Sequence, residues 1–191
     1  FAFMKKVFLA LLILSACGKG NKNGINQFAD DKLIQILDLQ DRRETDSLIP
    51  LLKAKKESHR IAAALAFASV QDTLAIPYLS QMLQIDQDEL PRRAAAFALG
   101  QIGHTKALQI LRSSFDSELS NVNRRYILEA IGKCGDTSTL ALFEKVDYQD
   151  SLLRIGWAYG VLRLGQKDLF SEPLVNRAIE VIKNENFTLS K

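Results

Sequence analysis

The chain has 191 residues, 47% of them hydrophobic and 25% charged, with four Pro and ten Gly, a composition that excludes a disordered or collagen-like chain. The formal charge of +3 falls to +1 once Lys5 and Lys6 are assigned to a cleaved segment, so charge points to neither nucleic acid nor an acidic surface as partner. Two cysteines, Cys17 and Cys134, make no disulfide framework.

Phe1-Ala2-Phe3 is read as an extension upstream of the start methionine, Met4. Met4-Lys5-Lys6 is a positive n-region, residues 7–14 are an unbroken apolar run, and Ser15-Ala16 supplies small residues before Cys17. These are the three parts of a secretory signal over residues 1–16. The run is too short to span a bilayer core, which takes about 20 residues. Leu14-Ser15-Ala16-Cys17 resembles the lipobox of bacterial lipoproteins, which implies cleavage before Cys17 and lipidation of its thiol. The alternative is an ordinary cleaved signal with a coincidental cysteine. Residues 17–29, rich in Gly, Asn and Lys, form a flexible tether with a reach of about 15–20 Å for some ten residues. Gly18 stands where enteric lipoproteins retained at the inner membrane carry aspartate, and no acidic cluster follows Cys17. The expected address is therefore the outer membrane of a bacterial envelope, facing the periplasm.

From residue 30 to residue 191 the pattern reads as helix pairs. Residues 31–39 place Leu33, Ile34, Leu37 and Ile36 on one stripe, as an N-terminal half-repeat. Thr45-Asp46-Ser47 offers N-cap oxygens for a helix through Leu48, Ile49, Leu51 and Leu52. The second pair opens at Asp72-Thr73 and carries Leu74, Ile76, Leu79, Met82 and Leu83. The third begins near Thr105 with Leu108, Ile110 and Leu111, and the fourth near Asp136-Thr137 with Leu140, Leu142 and Phe143. A last helix over residues 172–183 puts Leu174, Val175, Ala178, Ile179 and Ile182 on one face, with Pro173 in its first turn. No stretch alternates with period two, so no sheet is expected.

The second helices of these pairs are copies of one another. Pro91-Arg-Arg-Ala-Ala-Ala-Phe-Ala-Leu-Gly-Gln-Ile-Gly103 matches the stretch from Asn123 to Gly135 after a step of 32, and the stretch from Arg60 to Gln71 a step of 32 back. A fourth copy begins at Arg154 after a step of 30. A fixed period in this range marks a solenoid, in which each pair buries its apolar face only against its neighbours. These residues resemble HEAT repeats, especially the short variety of phycobilisome lyases, over residues 45–165. The resemblance implies a right-handed all-α solenoid whose second helices line the concave side. Phe67, Leu99, Ile131 and Val161 share one core column, with Val70, Ile102, Cys134 and Leu164 one turn on. Ala63, Ala64, Ala95, Ala96 and Ala98 allow close helix approach, as do Gly100 and Gly132.

Columns that repeat are read as structural. Arg60, Arg92, Arg124 and Arg154 form a ladder bonded to turn carbonyls or to an acid of the preceding turn, with Asp86 and Glu118 as candidates; an anion-binding stripe is the alternative. His104 shares the helix-capping column of Asp72 and Asp136. Trp157 falls in a buried column, and Cys134 is an inert core thiol. Nothing resembles a phosphate loop or a zinc cluster. HEAT-like deoxyhypusine hydroxylase holds its metal with His-Glu dipeptides, and the chain contains no such pair. No catalytic residue, metal or cofactor is expected.

The columns that vary lie on one helix side, at positions four apart: Ile61-Leu65-Ser69, Arg93-Phe97-Gln101, Arg125-Glu129-Lys133 and Ile155-Tyr159-Arg163. This face turns from apolar to basic and aromatic along the stack, and Arg and aromatic side chains are favoured contact residues. Arg93, Phe97, Gln101, Arg125, Tyr126, Glu129, Lys133, Tyr159 and Arg163 are the candidate contacts for a protein or peptide partner; an ordinary solvated face is the alternative. The expected function is a lipid-anchored, non-catalytic interaction scaffold that binds neither nucleic acid nor a small-molecule substrate. A bilin-lyase-like chromophore carrier and a purely structural envelope spacer are the other readings.

Overall fold

The computed structural model of the chain describes residues 30–145 and 148–189. The signal segment, the lipidation site Cys17 and the tether lie outside the described residues. Backbone contacts divide the chain into Phe1–Asp31 and Lys32–Lys191, and the repeats belong to the second unit.

Among the described residues the regular structure is helical throughout. Helix α1 spans Asp31–Asp41 and α2 spans Thr45–Leu48, continued by a 3-10 turn at Ile49–Lys53. Three hairpins follow the same plan. Helix α3 (Glu57–Val70) leads through a 3-10 turn at Thr73–Ala75 into α4 (Ile76–Ile85) and its partner α5 (Glu89–Ile102). Another 3-10 turn at Thr105–Ala107 leads into α6 (Leu108–Ser117) and α7 (Asn121–Cys134). The last pair is α8 (Thr137–Lys145) and α9 (Ser151–Gly165), followed by α10 (Glu172–Leu189).

Local chemistry sets these boundaries. Asp72 accepts a hydrogen bond from the Leu74 amide, His104 Nδ1 from Lys106 and Asp136 from Ser138 and Thr139, so this column caps first helices as expected. The Thr45 hydroxyl bond to Asp72 holds that carboxyl below its ordinary range, and the Ser138 hydroxyl does so for Asp136. Helix α5 ends where Gly103 adopts φ 67°, a left-handed conformation that favours glycine. Gln71 adopts φ 57° at the matching end of α3.

The core runs through the repeated columns. Phe67, Leu99 and Val161 are fully buried and Ile131 is 1% exposed. Val70, Cys134 and Leu164 are also buried, whereas Ile102 is half-buried. All five singled-out alanines are fully buried. The second helices pack closely side by side, α3 on α5, α5 on α7 and α7 on α9.

Several expectations need correction. In α1 the buried residues are Ile36 and Leu39, while Ile34 and Leu37 are each 44% exposed. This helix buries one narrow stripe, and the flanking apolar positions lie off it. Leu74, Leu142 and Ile179 are likewise exposed, each one step off the face that meets a partner helix. Thr45 does not cap: Glu44 precedes the helix without a side-chain cap bond, and the Thr45 hydroxyl donates to Asp72 of the next hairpin instead. The stretch through Leu52 is a single α turn and a 3-10 turn, with Pro50 at the start of the latter.

Candidate interaction surface

The varying residues converge on one strip across α5, α7 and α9. Arg93, Phe97 and Gln101 stand on α5, Arg125, Tyr126, Glu129 and Lys133 on α7, and Tyr159 and Arg163 on α9, all half-buried. Their spacing of four puts each set along one side of its helix, and the close packing of the second helices brings the sets into contact.

The strip is cross-linked rather than loose. Arg93 donates through Nε to Asn123 at 2.9 Å and through Nη2 to Glu89, and its guanidinium lies 5.8 Å from the Tyr126 ring centroid. Arg125 lies 6.0 Å from the same ring. The Lys133 ammonium stands 5.5 Å from the Phe97 centroid while pairing with Glu129 at 3.1 Å, and Glu129 also takes Arg163 at 3.3 Å. Cations at such distances are attracted by the ring quadrupole. Four cations therefore face two carboxylates, Glu89 and Glu129, leaving the strip positive. Its aromatic rings are partly roofed by the long basic side chains. Toward α3 the strip becomes apolar, with Ile61 half-buried and Leu65 38% exposed.

One member of the varying columns is not on the strip. Ile155 is fully buried. A Cβ on its neighbour Gly156 would lie 2.7 Å from the Arg125 carbonyl oxygen, so α9 rests on the backbone of α7 here, and Ile155 is covered. Trp157 is buried as expected, donating to the Phe143 carbonyl at 3.0 Å, with Arg177 over its ring at 4.5 Å.

Asn123 is a residue that sequence reasoning missed. It is fully buried and links three groups: Arg93, the Glu89 carbonyl and Glu118. The signal was available, because an amide occupies a column whose other members are His59, Pro91 and Leu153, all buried.

The arginine ladder exists, with its direction corrected. Arg60 Nη1 donates to the Ala54 and Lys55 carbonyls of its own turn, while Nε and Nη2 reach Asp86 of the following turn at 2.7 and 2.9 Å. Arg92 repeats this with the Asp86 and Gln87 carbonyls and, at 2.9 and 3.1 Å, with Glu118. Arg60 and Arg92 thus each clamp their own turn to the next one, and the acid comes from ahead rather than from behind; Arg124, expected in the same ladder, makes neither bond among the described residues. By accepting the bonds from Arg60 and Arg92, Asp86 and Glu118 raise the basicity of their guanidinium partners further. The Glu118 side chain is only 4% exposed. Burial opposes its ionisation, but bonds from Arg92, the Ser120 amide and Asn123 outweigh that and hold its carboxyl at about 2.

Little else offers chemistry. Burial pushes the Cys134 thiol up to about 12, and its Sγ lies 3.4 Å from the Leu99 carbonyl, so it is not poised as a nucleophile. Among the described residues no group of three or more His, Cys, Asp or Glu converges on a metal-sized site. No described helix is long and apolar enough to cross a membrane. An open groove of about 490 Å³ lies between the first two turns, lined by Leu52, Lys55, Arg60, Tyr78, Met82 and Ile85; its guanidinium, Arg60, is already engaged by Asp86 and Asp88.

Compared with known families, residues 45–132 match the model described as HEAT repeats. No curated protein matches the chain.

Proposed function

Residues 45–132 belong to the HEAT repeats, and on that premise we propose that the chain is a non-catalytic scaffold that grips a partner protein along the strip of α5, α7 and α9. HEAT repeats commonly mediate protein–protein interaction, and the strip supplies the residue types that such contacts use. The observation that carries the reading is the side-by-side array of Arg93, Tyr126, Arg125, Phe97 and Lys133, half-buried and net positive. Pre-ordered rings and guanidinium groups lose little conformational freedom on docking, which favours affinity. The small positive excess selects a partner segment with acidic residues beside apolar ones. Exchanging Phe97→Ala together with Arg125→Glu should reduce partner recovery at least tenfold in pulldowns from detergent-solubilised membranes. The spacer alternative expects identical recovery from both proteins.

The proposal places the scaffold on a bacterial outer membrane, facing the periplasm, held by acyl chains on Cys17. Two or more chains, at about 0.8 kcal/mol per buried CH2, are enough for stable anchoring. Mass spectrometry of the mature protein should find a diacylglycerol-modified cysteine as its first residue, and Cys17→Ser should release the protein from the membrane fraction. An unmodified N-terminus at another residue would end the lipoprotein reading and leave the scaffold reading standing.

A further inference from the structure

One guanidinium departs from the ladder. Arg60, Arg92 and Arg154 each give Nη1 to the backbone carbonyls six and five residues earlier. Arg60 and Arg92 also meet a carboxylate side-on through Nε and Nη2. Arg124 does neither among the described residues. Its guanidinium lies over Phe115, 4.3 Å from the ring centroid, and its Nε is buried without a hydrogen-bond partner.

The sequence supplies the reason. The ladder's carboxylates stand six residues before the next arginine, Asp86 before Arg92 and Glu118 before Arg124. Six residues before Arg154 stands Tyr148, whose ring meets Phe115 edge-on at 5.9 Å. Asp150, two residues on, is occupied by the Leu153 amide and the Asn121 side chain. Where the two earlier rungs hold Arg against carboxylate, this rung holds Arg against the Phe115 ring, which in turn meets Tyr148. The stacked guanidinium keeps its Nη donors free of the described residues, and its planar fork matches a carboxylate.

We propose that Arg124, with Phe115 and Tyr148, is a docking point on the turn edge for a carboxylate side chain of an acidic partner segment, which takes the part that Asp86 and Glu118 play within the chain. This site lies apart from the strip and does not depend on it. The buried Nε completes its hydrogen bonding when the guanidinium swings off Phe115 into the register of Arg60 and Arg92, so recognition couples to a side-chain movement.

The test uses the full chain in detergent, labelled with ¹⁵N-arginine, titrated with acetyl-hexaglutamate amide and, as control, acetyl-hexaglutamine amide. The Arg124 Nε–Hε signal should move saturably with the glutamate peptide only, while those of Arg60 and Arg92 stay in place. Arg124→Gln should weaken peptide binding at least tenfold. Tyr148→Glu, which puts a carboxylate at the ladder position, should do the same by occupying the guanidinium from within, and it decides the matter alone if Arg124→Gln fails to fold. Equal binding by the wild type and Tyr148→Glu would overturn the proposal.

Discussion

Replacing Gly132 by alanine should lower the melting temperature by roughly 4–8 °C, although alanine is the better helix former. A Cβ at Gly132 would stand 2.2 Å from the Gly160 carbonyl oxygen and 2.4 Å from its Cα. Both obstacles are backbone, so no rotamer change relieves them, and α7 and α9 must move apart. Overpacking of this kind costs about 3 kcal/mol or more, against a gain of up to about 1 kcal/mol in helix propensity. For a domain of this size each kcal/mol lost takes about 2–4 °C from the melting temperature. Gly100 is the internal control. Its Cβ would meet the Ala130 Cβ at 3.0 Å and Cα at 3.1 Å, contacts that a shift of a few tenths of an ångström relieves, and the Lys133 Cδ only at 3.4 Å. Gly100→Ala should therefore change stability by less than about 1 kcal/mol. Since each pair is stabilised only by its neighbours, Gly132→Ala should loosen α9 and α10 first, which hydrogen exchange would register as faster exchange in those helices. Equal melting temperatures for the two variants would refute this account of the α7–α9 contact.

What was legible in the chain was whatever the repeat forces. A column that recurs in every second helix meets the same neighbour column each time, so Phe67, Leu99, Ile131 and Val161 could be assigned to the core from spacing alone. Caps were legible for the same reason, since Asp72, His104 and Asp136 solve one local problem three times. The ends of the stack were not, because Ile34 and Leu37 follow an amphipathic pattern while the stripe of α1 that is buried is Ile36 and Leu39. The direction of the ladder was hidden by the symmetry of the repeat itself. An acid six residues before one arginine is also 26 residues after the previous one, and only coordinates show that the second relation is the bonded one. The candidate residues of the strip stand along one side of their helices, but their mutual pairing was not readable, since Tyr126 meets cations from α5 and α7 alike. Ile155 was misplaced because the aligned column ignores how closely Gly156 lets α9 approach α7.

Acid should destabilise the fold chiefly between pH 4.5 and pH 2, and Glu118 is the residue whose replacement should remove most of that dependence. Its carboxyl sits at about 2 in the folded chain against an ordinary 4.5. A carboxyl depressed on folding contributes stability that is complete above the ordinary value and is lost as pH falls through the folded one. The difference corresponds to about 3 kcal/mol at neutral pH. Glu118→Gln keeps the shape but removes the charge, leaving the Arg92 fork, 21% exposed, with a single amide oxygen. Breaking a desolvated pair in this way costs about 3–5 kcal/mol, and the bond from Asn123 is put at risk as well. Asp72 and Asp136 are also held below their ordinary range, so the wild type alone does not isolate the effect. The difference between wild type and Glu118→Gln does. In urea titrations at pH 7, 5, 4 and 3 that difference should be largest at pH 7, begin to shrink below pH 5 and fall toward zero as pH 2 is approached. A stability gap that stays constant from pH 7 to pH 3 would mean that Glu118 acts through shape alone, and the ladder would then owe nothing to its charge.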